Sequence, residues 1–143
     1  MEIGRLPAPY VQKAIFTFGY GNRKDHADLE RYIKEHGIAY IVDVRRMPRA
    51  WGQLWYAEQL LDFCRRLGVD YVSKTALGNT SKNEHWIPFD WAKAEVALSE
   101  VGQFLADGSV LLLCAELDHR RCHRTGVAET LNRATDVPVK HLV

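Results

Sequence analysis

Cysteine is scarce: Cys64, Cys114 and Cys122 are the three thiols in a chain of 143 residues. Three irregularly spaced cysteines make no disulfide framework, so a reducing compartment, the cytoplasm, is the expected location. Long apolar runs are also missing. None approaches the roughly 18 residues that a membrane span needs, and nothing near Met1 reads as a signal peptide, so no membrane partner is expected. Charge of one sign is absent too, the formal net charge being only +1. That excludes a strong overall pull to nucleic acid, though not a local basic patch. What is present is ordinary for a globular protein: 47% hydrophobic and 26% charged residues. The length suits one domain with a real core.

The chain is organised around Ser109 to Leu131. Val110 to Leu113 form a continuous apolar run, the mark of a strand buried on both faces of a parallel sheet. Asp118 then offers an N-cap, which predicts a helix through about Ala134. On such a helix Val127, Ala128 and Leu131 share a stripe, and Arg120, His123 and Arg124 fall on it one or two turns earlier. The sheet-facing side would turn cationic beside a strand end bearing Cys114 and Glu116. That arrangement suits an anion.

Met1 to Gln12, with Pro7 and Pro9 and no period, is expected to be a poorly ordered or wrapping leader. Residues 13–143 then form a single domain. Ala14–Phe18 reads as a strand followed by a glycine turn at 19–22. Asp25 is placed to cap a helix ending near Gly37. Ala39–Val44 is a second strand, 45–56 an irregular connection, Ala57–Leu67 a helix closed by Gly68, and Asp70–Ser73 a short strand. Lys74–Asp90 is polar, and a loop of that length is usually functional, such as a lid, or disordered. Trp91–Ala106 is an amphipathic helix, and Val137–Leu142 a last strand. The expected fold is α/β: a three-layer sandwich with a mostly parallel sheet of about five strands flanked by helices, Rossmann-like or flavodoxin-like. The turns after each strand would collect along the carboxyl edge, where ligands bind in open sheets.

Four segments together resemble the DUF488 family: TFGYGN at 17–22, VDVRRMPR at 42–49, LG at 77–78, and LLCAE…RCHR between Leu112 and Arg124. The resemblance runs from about Phe16 to the C-terminus. At the first turn Tyr20–Gly21 stands where family members often carry His-Ser. The resemblance implies a small α/β domain of prokaryotes. It implies no particular activity, so the chemistry has to come from the residues.

Cys114 and Arg120 have the Cys-x5-Arg spacing of protein tyrosine phosphatases, in which a thiolate attacks a phosphate held by loop amides and the arginine. Glu116 and Asp118 would repel that anion, and a packing role for Cys114 stands beside the nucleophilic one. Cys122 and His123, with Cys114 and Glu116, include metal-ligating types. However, C-x7-C-H is no established zinc spacing, and a continuous helix would turn Cys122 away, so no metal site is assigned. His123 reads better as a hydrogen-bonded or acid–base residue. Asp43 and Arg45 are either a general base and an anion clamp or part of a structural ion pair that ties the strand end to Arg124 or Arg120. Gly19-x-Gly21 has a dinucleotide look, but Lys24 occupies the third glycine position.

Arg45, Arg46, Arg49, Trp51, Trp55 and Tyr56 interleave cations with aromatics, as a single-stranded nucleic-acid platform requires. The plainer reading has the tryptophans covering the sheet edge. The leading expectation is an enzyme, a hydrolase or transferase, on a phosphorylated or nucleotide-like small substrate. Its catalytic candidates are Asp43, Cys114, Glu116 and His123, and its anion binders Tyr20, Asn22, Arg45, Arg120 and Arg124. A nucleic-acid-binding module and a sensing domain without turnover are the alternatives. Neither cofactor nor oligomeric state can be read from the sequence.

Overall fold

A computed structural model of the chain describes residues 12–49 and 52–143. The expected leader and Trp51 lie outside the described residues, Gln12 excepted. Five strands form one parallel sheet: β1 (Ile15–Gly19), β2 (Ile38–Asp43), β3 (Asp70–Ser73), β4 (Ser109–Cys114) and β5 (Val139–His141). Their order is β3-β2-β4-β1-β5. This is neither the 3-2-1-4-5-6 order of dinucleotide-binding sheets nor the 2-1-3-4-5 order of flavodoxin, but the carboxyl-edge logic is shared.

Four helices cover the sheet: α1 (Ala27–His36), α2 (Ala57–Leu67), α3 (Trp91–Asp107) and α4 (Arg124–Thr135). The first two crossovers step toward the β3 edge and the last two step back. Accordingly, α1 and α2 lie on one face and α3 and α4 on the other. The side-chain alternation of β4 follows from this. Leu111 and Leu113 pack with Leu29, Ile33, Leu60 and Phe63, whereas Val110, Leu112 and Cys114 pack with Val101, Leu105, Val127 and Leu131. All six residues of β4 are buried, and each large aliphatic side chain so buried contributes about 1.5–3 kcal/mol. The crossovers leaving β1 and β2 run toward the β3 edge and the one leaving β4 runs the opposite way, so the direction of connection reverses on both sides of β4. The carboxyl end of β4 is therefore where a crevice must open.

Helix starts follow local chemistry. Asp25 does not occupy the N-cap of α1, which falls on His26, but its carboxylate accepts the Ala27 N–H at 2.9 Å. Asp90 caps α3 directly, accepting from the Lys93 N–H at 3.2 Å. Asp90→Ala is expected to cost about 1 kcal/mol, a fall of about 3–4 °C in Tm by calorimetry.

The start of α4 departs from the sequence expectation. Asp118 caps only a 3-10 turn, His119–Arg121, by accepting from the Arg120 N–H at 3.0 Å. Cys122 is then extended (φ −122°, ψ 139°), and the α-helix starts at Arg124. Arg120 is thus off the buried face of α4, exposed and paired with Asp118 at 3.1 Å.

The same turn stacks His119 on His141 of β5, ring centroids 3.7 Å apart. Burial, then the charges of His119 and Arg124, push the His141 pKa from 6.5 down to about 4. The unfolded chain then takes up that proton more readily. This contribution is full above about pH 6.5 and is lost as the pH falls toward 4. His141→Gln is expected to flatten that part of the acid-side decline in urea-unfolding free energy.

No helix among the described residues is long and apolar enough to cross a membrane.

Candidate functional site

The crevice at the end of β4 depends on a close backbone approach. Gly19 ends β1 in register with Cys114, and the chain leaving β4 passes directly over it. A Cβ on Gly19 would lie 1.8 Å from the Glu116 carbonyl oxygen. The ladder continues past the strands: the Tyr20 and Gly21 N–H groups donate to the Cys114 and Ala115 carbonyls at 3.1 and 2.7 Å, and the Val44 N–H donates to Leu113 at 3.1 Å. Gly21 is left-handed (φ 50°), a conformation that glycine adopts without strain.

Arg124 holds the outgoing loop from below. Fully buried, it donates from its two terminal nitrogens to the carbonyls of Glu116 and Leu117, while its Nε has no partner among the described residues. It is a loop clamp and does not line the crevice.

Asp43 and Arg45 form a buried, bidentate pair. Asp43 accepts Arg45 Nε at 2.8 Å and a terminal nitrogen at 2.6 Å, the Arg45 backbone N–H at 3.1 Å, and the Tyr71 hydroxyl at 2.5 Å. With four bonds to accept, this carboxylate is committed. Its partner is Arg45, whereas the expected partners bond elsewhere, Arg124 to backbone carbonyls and Arg120 to Asp118. Burial alone would lower the Arg45 pKa, but the bonds and charge of Asp43 outweigh it and hold the guanidinium charged. Arg45 also donates to the Tyr20 hydroxyl at 3.1 Å, and burial pushes the Tyr20 phenol up. Tyr20 stacks on Trp55 with ring centroids 4.7 Å apart. Trp55 is therefore buried and offers no face to a base, and Arg49 lies over Tyr56 and pairs with Glu58 at 3.1 Å.

Above this foundation is a cavity of about 590 Å³ that brings together Asn22, Arg45, Cys114, Glu116 and His123 among the residues singled out from sequence. Asp43 and Tyr20 lie behind its wall, and Arg120 lines a different depression with Arg23 and Val143. Cys114 and Arg120 therefore do not converge, so the phosphatase-like loop is not formed. Arg46, named from sequence only as part of the basic and aromatic segment, is on the wall, together with Lys82 and Arg121, which sequence reasoning missed. None of the three pairs with a carboxylate among the described residues. Arg45 is neutralised by Asp43, so these three cations face the single carboxylate of Glu116. Lys82 arrives on the Lys74–Asp90 loop, which is folded on Asn79: that side chain donates to Ser81 Oγ at 2.9 Å and to the Asn83 carbonyl at 3.1 Å, and accepts the Ile87 N–H at 2.8 Å.

A continuous helix would turn Cys122 away from the site, but the chain breaks before α4 and brings it in. Its extended backbone turns the thiol toward Cys114, so that both sulfurs lie 3.9 Å from His123 Nδ1. His123 Nε2 is 3.0 Å from the Val44 carbonyl, which can only accept. The proton therefore sits on Nε2 and the Nδ1 lone pair faces both sulfurs. The two thiols ionise unequally. The hydrogen bond from Cys114, with the charge of Arg124, outweighs burial and holds Cys122 well below the ordinary thiol range. The same bond, with burial, pushes Cys114 well above it. Cys64, in the opposite layer, is pushed up to about 12 mainly by burial. The arrangement thus offers a sulfur anion, an imidazole lone pair and a cationic wall on one cavity.

Searches of curated proteins and of solved structures find no match. The family model for the domain of unknown function DUF488 matches residues 27–131, a span that carries Arg45, Cys114, Cys122 and His123. The chain belongs to the DUF488 family.

Proposed function

We propose that the protein is an enzyme acting on a small anionic substrate, phosphorylated or nucleotide-like, at the carboxyl end of β4. Arg46, Lys82 and Arg121 hold the anion, and the Cys114–Cys122–His123 cluster at the cavity floor supplies the reactive groups. One observation carries this reading: three cations without carboxylate partners among the described residues share one cavity with the Cys114, Cys122 and His123 cluster. A charged wall alone would fit a binding domain. The sulfur–imidazole floor, with its uneven proton sharing, is what points to chemistry.

Asp43, Tyr20, Tyr71 and Arg124 act in this scheme as supports. They fix the two loop ends between which the anion sits, so their substitution should change stability before it changes affinity. Glu116, exposed and bonded to the Asp118 N–H at 3.1 Å, stands at the rim, where it disfavours substrates of excessive negative charge.

The test is product formation by the full-length protein from a panel of phosphomonoesters, phosphodiesters and nucleotides, followed by chromatography with mass detection. Turnover that disappears in Cys122→Ser and His123→Gln but persists in Cys64→Ser supports the reading. Saturable anion binding with no product from any member of the panel overturns it in favour of a sensing domain without turnover.

A further inference from the structure

We propose that Cys114, Cys122 and His123 form a three-ligand site for a zinc-class divalent cation, whose fourth position opens on the cavity. The Sγ atoms of Cys114 and Cys122 and the Nδ1 atom of His123 all lie within 4.8 Å of one another. Zinc bonds of about 2.3 Å to sulfur and 2.0–2.1 Å to nitrogen set tetrahedral neighbours about 3.8 Å (S···S) and about 3.6 Å (S···N) apart. The observed S···N separations are both 3.9 Å and no pair of the three atoms exceeds 4.8 Å, so side-chain movements of at most about 1 Å close the site.

The second observation is the state of the imidazole. The 3.0 Å contact from His123 Nε2 to the Val44 carbonyl fixes the ring and the tautomer. This is the outer-shell hydrogen bond that metal-ligating histidines use, and it leaves Nδ1 as the donor atom. Both thiols serve as thiolates once a cation replaces the shared proton, and the pair neutralises a divalent charge. Two sulfurs and one nitrogen in a tetrahedral set favour zinc over magnesium or calcium, which take oxygen ligands. The cluster is buried except on the cavity side: Cys114, Cys122 and His123 are 8%, 4% and 8% exposed, and all three line the cavity. A three-residue set with an open fourth position is the pattern of a catalytic rather than a structural zinc site. A zinc ion there would take water or an oxygen of the anionic ligand as its fourth partner.

The experiment is a cobalt(II) titration of the full-length protein, reduced, stripped with a chelator and then freed of it. The expected result is one cobalt per chain, with thiolate-to-cobalt absorption in the near ultraviolet and tetrahedral ligand-field bands in the visible, displaced by zinc. Cys64→Ser should keep these bands. Cys114→Ser and Cys122→Ser should each weaken binding by more than the roughly 10–100-fold that outer-shell changes cost. A folded, reduced wild type without the thiolate absorption overturns the proposal, as does absorption that survives both serine substitutions. Recovery of Cys114 and Cys122 as a disulfide from reductant-containing buffer also overturns it, in favour of a redox pair. If the serine variants do not fold, X-ray absorption of the zinc-loaded wild type decides: two sulfurs and one nitrogen support the site, and a shell without sulfur excludes it. The probe is the metal alone, so its failure is distinct from failure of the anion-binding reading.

Discussion

Asp43→Asn is expected to destabilise the protein by about 3–5 kcal/mol, because it leaves the Arg45 guanidinium buried without a counter-charge. Asp43 is fully buried and Arg45 is 4% exposed, so water cannot replace the lost bonds. The Tyr71 hydroxyl and the Arg45 backbone N–H lose a charged acceptor at the same time. The expected readout is a fall of roughly 10–20 °C in Tm, with a matching fall in urea midpoint. The double variant Asp43→Asn/Arg45→Met should recover much of the loss, since an uncharged pair of similar volume leaves no uncompensated charge. A single-variant cost below about 1 kcal/mol, the range of a solvated surface pair, would show that the carboxylate is not held as described. Asp43 would then return as a candidate base.

Gly19→Ala carries the other large effect. Its Cβ would fall 1.8 Å from the Glu116 oxygen, 2.7 Å from the Glu116 carbonyl carbon and 2.9 Å from an Arg124 terminal nitrogen. Two of these are backbone atoms, so no side-chain rotation relieves the clash. The chain leaving β4 must retreat by about 1.5 Å to reach ordinary contact distance, and Arg124 then loses its carbonyl acceptors. Overpacking costs about 1–3 kcal/mol and occasionally more; this substitution belongs at or above the upper end. Phosphate affinity should fall with stability, because the same loop carries Glu116 and leads to Arg121. Gly102→Ala is the control. In the middle of α3, its Cβ meets nothing closer than 3.9 Å, so helix propensity should make it stabilising by about 0.5–1 kcal/mol. Equal effects of the two alanines on thermal unfolding would contradict the close approach at Gly19.

The layered architecture was legible from sequence for a physical reason. Strands buried on both faces must be continuously apolar, and β4 obeys this along its whole length; helices packed on one face must be periodic, and α2 runs from Ala57 to Leu67 as its spacing implies. The order of the strands was not legible. It depends on crossovers over whole helices, which no local pattern encodes. The site was half legible. Cys114, Glu116 and His123 were placed correctly at the end of β4, because a strand end is marked by where the apolar run stops. Arg120 and Cys122 exchanged roles through one local event, the 3-10 turn after Asp118. A capping aspartate looks the same before one turn as before a long helix, and no glycine or proline marks the break at Cys122. Lys82 reaches the cavity through the Asn79-centred fold of its loop, and Arg46 and Arg121 through the path of the chain at the crevice. None of the three stands in a periodic segment.

The measurement that bears most directly on the proposed function is calorimetric titration of the full-length protein with inorganic phosphate and with a nucleoside monophosphate, at low and at moderate salt. One anion per chain is expected, with affinity that weakens as salt rises. A charge-assisted bond is worth about 1.5–3 kcal/mol, roughly 10–100-fold in affinity, so Arg46→Ala and Arg121→Ala should each weaken binding by at least about tenfold. Arg120→Ala, on the far side of the turn, should leave it unchanged. Absence of binding by either anion, or binding undiminished in the Arg46→Ala/Arg121→Ala double variant, would contradict an anion site at the carboxyl end of β4.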